Sequence, residues 1–326
     1  MDAELLKTLG LVAGIGGIAL GVFLLIFRDV VRRQIFGRLN KESTMALNVY
    51  LDTNVFDHIL KKIDFTDADV QLLKNAISDG KISILRSVTL VEEILPAINA
   101  SDPELANRKK QLLMELTDPS KLVKNHTELL RDDINAFVNG TALPSPFTDE
   151  FPNILDVLTP QASEVMVQKE VLRQTKEQKE LVKQGFKNAK KESLVAIEEL
   201  IGGKYKTKPG DWKRFVALGL PGLVHELIEK LGLPDECKET VVDGVSKIRS
   251  LRFYIMSSLS YVYAHMFEGY EHHAGDSRDL QHAVLASAAD IYVTQDAKVR
   301  TIMKRVDVPG FEIMDLQGLM QKIASL

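Results

Sequence analysis

The chain carries a single cysteine, Cys237, among 326 residues. That excludes an intrachain disulfide and any cysteine-rich zinc site, and it fits a reducing compartment. Tryptophan is equally scarce, with Trp212 alone. Charge of one sign is missing too: 41 Lys+Arg against 45 Asp+Glu leave a formal net charge of -4. A surface coated in basic residues is excluded, so any charge that binds nucleic acid must be local. There is no serine nucleophile elbow, Walker lysine loop or HExxH pair. Serine-hydrolase, P-loop NTPase and zinc-protease chemistry therefore lack their parts. Internal repeats and low-complexity tracts are absent as well. What remains is 45% hydrophobic and 26% charged, the balance of a globular protein, with length for two or three compact units or one domain bearing a large insertion.

The one long apolar run lies at residues 9–27, where no side chain is charged. As a helix it spans roughly 28 Å, close to the hydrocarbon thickness of a bilayer. Arg28, Arg32, Arg33, Arg38 and Lys41 follow, against Lys7, Asp2 and Glu4 before it. The bias in basic residues predicts a single-pass anchor in the cell membrane with the C-terminal bulk in the cytoplasm. A cleaved signal peptide wants a basic start and a small-residue cleavage site, neither of which is here. Glycines at 10, 14, 16, 17 and 21 make the run a poor soluble helix. The pairs Gly10/Gly14 and Gly17/Gly21 have the spacing that lets membrane helices approach closely, which suggests self-association.

Beyond a basic linker the pattern changes. Residues 48–51 read as a strand, 55–62 and 67–79 as helices, and 81–85 as a second strand, with Gly80 closing the second helix and Ser87 capping a third. Between Pro96 and about Asp243 strand signals nearly vanish, and residues 161–201 read as one long helix. Strand and helix then alternate again: a helix over 245–267, another over 277–289, a strand over 290–294, a helix over 297–305 and a strand over 311–314. Alternation of this kind predicts a parallel sheet shared by both halves. The organisation expected is an anchor and linker at 1–45, a first half-domain at 46–98, a helical insertion at 99–248 and a second half-domain at 249–326.

In a parallel sheet, strand ends and the helix starts that follow them share one edge, where ligands bind. Four acids fall there. Asp52 ends the first strand, Glu92 opens the helix after the second, Asp279 opens a later helix, and Asp296 follows the strand that ends at Thr294. Carboxylates gathered in one place repel unless a cation neutralises them, and hard oxygen ligands favour Mg²⁺ or Mn²⁺. Ions on such a site activate water and align the oxygens of a phosphodiester for hydrolysis. Each acid also has a structural reading. Asp276 and Asp279 suit helix caps, Glu92 suits a first-turn partner of the helix dipole with Glu93 as the functional acid, and Asp290 suits a turn.

The stretch Val49-Tyr50-Leu51-Asp52-Thr53-Asn54-Val55-Phe56 resembles the opening motif of PIN domains, the metal-dependent ribonuclease fold also found in toxins of toxin–antitoxin pairs. Ser87-Val88-Thr89-Leu90-Val91-Glu92 resembles the second motif, Asp279-Leu280-Gln281-His282-Ala283 the third and Val293-Thr294-Gln295-Asp296 the fourth, all in the family's order. The resemblance covers roughly 46–98 and 249–326. It implies a three-layer α/β/α fold with a central parallel sheet, and RNA cleavage that leaves a 5′-phosphate. Asp52, Glu92, Asp279 and Asp296 become the metal ligands, with Asn54 and Thr294 orienting them from behind. The insertion departs from the minimal form of the family.

On the long helix, Lys183, Lys187 and Lys190 extend a basic stripe at helical spacing, and Trp212 follows beside Lys213 and Arg214. The stripe suits a nucleic-acid backbone with Trp212 as a stacking platform, an anionic lipid surface, or a solvated face paired with Glu170, Glu177 and Glu180. His282 suits substrate phosphate or a satisfied core position. The reading that follows is a membrane-anchored, two-metal PIN-like nuclease acting on RNA, with a toxin or defence role in view. The alternatives are an inactive PIN-like scaffold and a nuclease for single-stranded DNA.

Overall fold

The structure, a computed structural model, describes residues 46–63, 65–91, 93, 103–149, 211–270 and 275–326. The run at 9–27, Glu92, the stripe Lys183, Lys187 and Lys190, and the long helix expected at 161–201 lie outside the described residues. Among the described residues no helix is long and apolar enough to cross a membrane.

Five parallel strands make the centre. β1 (Leu47–Leu51) pairs with β2 (Ile82–Ser87) on one side and β4 (Ile291–Val293) on the other, β3 (Thr117–Val123) lies outside β2, and β5 (Glu312–Met314) outside β4. The described residues also form ten α-helices and one short 3-10 turn, Asp235–Cys237. The order β3-β2-β1-β4-β5 is that of a doubly wound sheet, whose direction of winding reverses between β1 and β4. Val49, Tyr50 and Leu51 are fully buried, as the middle strand of a parallel sheet requires. Pairing of Tyr50 with Tyr292 and of Leu51 with Val293 joins the two sequence halves in one sheet, as expected.

The helices that matter for the site start at strand ends. α1 (Thr53–Lys61) follows β1 at once, with Asp52 as its N-cap. α2 (Asp67–Ser78) opens on a capping box between Thr66 and Asp69 and leads through Gly80, at φ +68°, into β2. The turn after β2 is helical from residue 88, and Ser87 accepts the Leu90 N–H at 3.2 Å, the cap its sequence predicts. α3 (Pro103–Leu116), α4 (His126–Val138), α5 (Trp212–Leu231) and α6 (Lys238–Gly244) come next. α7 (Arg249–Phe267) is buried along most of its length and packs against α4, α5, α8 (Asp276–Ala286) and α9 (Ala297–Met303). α10 (Leu316–Ser325) packs against α2.

One expectation needs correction. The stretch from 99 to 248 is not helical throughout, because β3 lies within it and extends the sheet. Its sequence, Thr117-Asp118-Pro119-Ser120-Lys121-Leu122-Val123, reads as a break. Proline lacks the N–H of a ladder and is tolerated on an edge strand, which β3 is. The pairing jumps from Ile84↔Thr117 to Arg86↔Leu122, so the polar residues between bulge out of register while Thr117, Leu122 and Val123 stay buried.

Candidate metal centre

Asp52 sits at the switch point, where β1 ends beside β4. Its backbone N–H continues the ladder to the Val293 carbonyl at 2.9 Å, so the carboxylate is fixed by the sheet itself. The side chain is buried. Oδ1 accepts the Thr53 N–H at 2.7 Å, and Oδ2 accepts from the Thr294 hydroxyl at 2.6 Å and the Asn54 amide at 2.8 Å. Asn54 also donates to Thr294 Oγ1 at 3.1 Å and accepts the Gln295 N–H at 3.0 Å, tying the end of β1 to the end of β4. Asn54 and Thr294 therefore both hold the Asp52 carboxylate.

Glu93, in the helical turn after β2, is the acid that reaches Asp52; Glu92 lies outside the described residues. A carboxylate oxygen of Asp52, one of Glu93 and a ring nitrogen of His282 lie within 4.8 Å of one another. Glu93 Oε2 accepts from Thr53 Oγ1 and meets His282 Nε2 at 3.1 Å. On the far side of the ring, Nδ1 meets the Tyr50 hydroxyl at 2.8 Å, which meets Ser87 Oγ at 2.9 Å. The line Glu93–His282–Tyr50–Ser87 thus ends on the Leu90 backbone. His282 is buried and bonded on both nitrogens, so the cluster holds it in one orientation.

Asp279 stands three residues before His282 on α8 and takes the Tyr261 hydroxyl at 3.0 Å. Asp276, a further three back, is buried and takes the Tyr270 hydroxyl at 2.8 Å. Asp296 is exposed and caps α9, its Oδ1 accepting from Lys298 and Val299 at 2.7 and 3.2 Å, while its own N–H reaches Thr294 Oγ1 at 3.2 Å. Of the four expected ligands, Asp52 is in the cluster, Asp279 is coupled to it electrostatically, Asp296 adjoins it through Thr294, and Glu92 is not described. Trp212 is elsewhere. Its ring packs edge-on to Tyr263 at 5.4 Å with the Arg305 guanidinium over it at 5.6 Å, an aromatic knot that leaves less ring for a base.

The electrostatics follow from burial and crowding. Burial pushes the Asp52 carboxyl up, opposed by the His282 charge and the Thr294 hydrogen bond. Burial acts on Glu93 in the same direction, but the hydrogen bond and charge of His282 outweigh it and hold the carboxyl at about 2. Burial by itself would lower His282; Glu93, then Asp52 and Asp279, raise it instead. Asp279 is pushed up to about 7, by burial first and the Asp52 charge second. Three carboxyls share one imidazole, an arrangement that a cation would neutralise. Asp52, Glu93 and His282 Nε2 are the atoms able to hold it.

Sequence reasoning missed Tyr50, Tyr261, Tyr270 and the bridging role of Thr53. For Tyr50 a signal existed. Residues two apart on a strand share a face, so Tyr50 lies on the Asp52 side of β1 as Tyr292 lies on the Thr294 side of β4.

Asp279 supplies a pH test. An ordinary aspartate titrates near 4, so the folded state binds this proton more tightly than the unfolded chain. The group favours folding below about pH 4 and progressively opposes it as pH rises to about 7. Asp279→Asn is expected to match the parent at pH 4 in EDTA and to melt higher at pH 8, by on the order of 2–4 kcal/mol. Equal melting at pH 8 contradicts the crowded, metal-free centre. No protein-family model matches this chain, and neither a curated protein nor a solved structure matches it.

Proposed function

We propose that this protein is a PIN-like, metal-dependent phosphodiester hydrolase that cleaves RNA. The observation that carries the reading is the meeting of Asp52, Glu93 and His282, with Asp279 beside them, at the switch point of a parallel sheet. Acids from residues 52 to 279 have no reason in local sequence to meet, and a buried set of them is costly without a cation. A three-layer α/β/α arrangement is the finer form of the fold that this reading takes.

Held by these residues, Mg²⁺ or Mn²⁺ supplies Lewis-acid activation of water and neutralises charge on the phosphodiester. The chain supplies the rest. Thr294 and Asn54 hold Asp52 Oδ2, leaving the carboxylate one orientation. Tyr50 and Ser87 fix the plane of His282. Asp279 stands beside the cluster, and the Tyr261 hydroxyl on its Oδ2 leaves Oδ1 to take a proton. Asp296, the fourth acid of the resemblance, sets the Thr294 hydroxyl through its backbone N–H.

A scaffold without turnover is the second reading. The observation that favours it is the Glu93–His282 pair, in which a protonated imidazole meets the carboxylate's charge without any metal.

The test is cleavage of labelled RNA and single-stranded DNA by the full chain. RNA should be cut to products bearing a 5′-phosphate in Mn²⁺ and not in EDTA. Asp52→Asn and Glu93→Gln should each lose at least the roughly 10–100-fold that loss of a ligand-orienting group costs. EDTA-resistant cleavage or a fully active Asp52→Asn protein would falsify the hydrolase; no cleavage of either substrate favours the scaffold. The apolar run at 9–27 extends the proposal to a membrane-tethered enzyme facing the cytoplasm, self-associating through its glycines, with a toxin-like or defence role as its setting. Carbonate extraction should leave the full chain in the membrane pellet, and its release to the supernatant would rule out a spanning helix.

A further inference from the structure

We propose that His282 Nε2 is a ligand of the ion held by Asp52 and Glu93, and that the centre therefore selects Mn²⁺ over Mg²⁺. This rests on the metal-dependent reading above and narrows it to the identity of the ion and its ligands.

Three observations carry it. The first is orientation. The ring is pinned at Nδ1 by the Tyr50 hydroxyl at 2.8 Å and packs tilted on the Tyr50 ring, with centroids 5.7 Å apart. Tyr50 is itself held by Ser87 at 2.9 Å. A histidine that donates Nδ1–H to such a partner keeps the Nε2 lone pair for a metal, the arrangement usual behind ligating imidazoles.

The second is what Nε2 faces. Glu93 Oε2 lies 3.1 Å away, and a carboxylate oxygen of Asp52 completes the group within 4.8 Å. A lone pair and a carboxylate at that separation need a cation between or beside them. A proton serves in the ion-paired state; an ion that takes both atoms replaces it, and the proton leaves to solvent.

The third is Tyr292. Its side chain is fully buried, and its hydroxyl has no hydrogen-bond partner among the described residues. It stands beside Tyr50 in register, ring centroids 5.9 Å apart, and the charges of Asp52 and Asp279 act on it. A buried hydroxyl left without a partner is costly. An oxygen ligand completing the coordination of the ion would satisfy it.

Ligand chemistry then sets the preference. Mg²⁺ demands a near-ideal octahedron of oxygens and gives up water reluctantly. Mn²⁺ stands at the start of the first-row series, takes carboxylates as Mg²⁺ does, and as a transition-metal ion accepts an imidazole nitrogen that Mg²⁺ disfavours.

The experiment measures binding directly. Purified full chain is stripped with EDTA, dialysed, and titrated with Mn²⁺ or Mg²⁺ alone by calorimetry. Electron spin-echo spectra are recorded at one equivalent of Mn²⁺ on protein with ¹⁴N- or ¹⁵N-histidine. The proposal expects Mn²⁺ to bind at least about tenfold more tightly than Mg²⁺. It also expects a histidine-nitrogen modulation that shifts with the isotope and disappears in His282→Gln and in Asp52→Asn. Bound Mn²⁺ without histidine coupling, equal affinity for the two ions, or coupling that survives His282→Gln overturns it. If His282→Gln fails to fold, the isotope shift in the parent and its loss in Asp52→Asn decide. Absence of any ion binding overturns this proposal and the hydrolase together, whereas nitrogen coupling without RNA cleavage sustains the ligand set and removes only the hydrolase.

Discussion

Everything at the centre of this protein depends on placing one carboxylate, that of Asp52, out of water at the end of the middle strand. A buried charge is tolerated only with partners on its oxygens and a counter-charge near by. The fold meets both demands from across the sequence. Thr294 and Asn54 bind Oδ2, the first from 242 residues away, and the imidazole of His282 supplies charge. The pairing of β1 with β4 is what makes these contacts affordable, because it fixes the backbone on which Asp52 and Thr294 stand.

From that requirement the division of labour follows. Glu93 draws His282 toward the carboxylates, and Tyr50 with Ser87 holds the other edge of the ring. Asp279 is left as the group with too much negative charge around it and no cation of its own. A site built in this way is not at rest electrostatically. Either a proton on His282 or a divalent ion balances it, and the two states call for the same side chains in nearly the same places. The hydrolase we propose and a closed ion-paired scaffold would thus be two conditions of one geometry.

Much of this was legible in the sequence because it is local and periodic. A run of Val, Tyr and Leu ending in Asp-Thr-Asn marks a parallel strand meeting a helix, and the Ser87 cap and the glycine turn at 80 follow from backbone rules. β3 was not legible, since Asp118-Pro119-Ser120 breaks the pattern; only the strand's place on the sheet edge makes those residues acceptable. Adjacent acids differ by about 100° around a helix, so periodicity alone does not say which of Glu92 and Glu93 looks at the sheet. Sequence named both as candidates and preferred Glu92; of the two the structure describes Glu93, which lies in the cluster. The tyrosines were hidden for another reason: in strands and helices of a core they read as packing, and only the third dimension turns the hydroxyls of Tyr261 and Tyr270 onto acids and that of Tyr50 onto His282. His282 was ambiguous on sequence for the same cause.

The central claim is that Asp52, Glu93 and His282 form one metal centre. Anomalous scattering from crystals of the protein grown with saturating Mn²⁺ tests it most directly. The account predicts a single strong peak within bonding distance of an oxygen of Asp52, an oxygen of Glu93 and Nε2 of His282, with the His282–Glu93 hydrogen bond broken. Crystals in which that hydrogen bond persists and no manganese lies between the three side chains would contradict it.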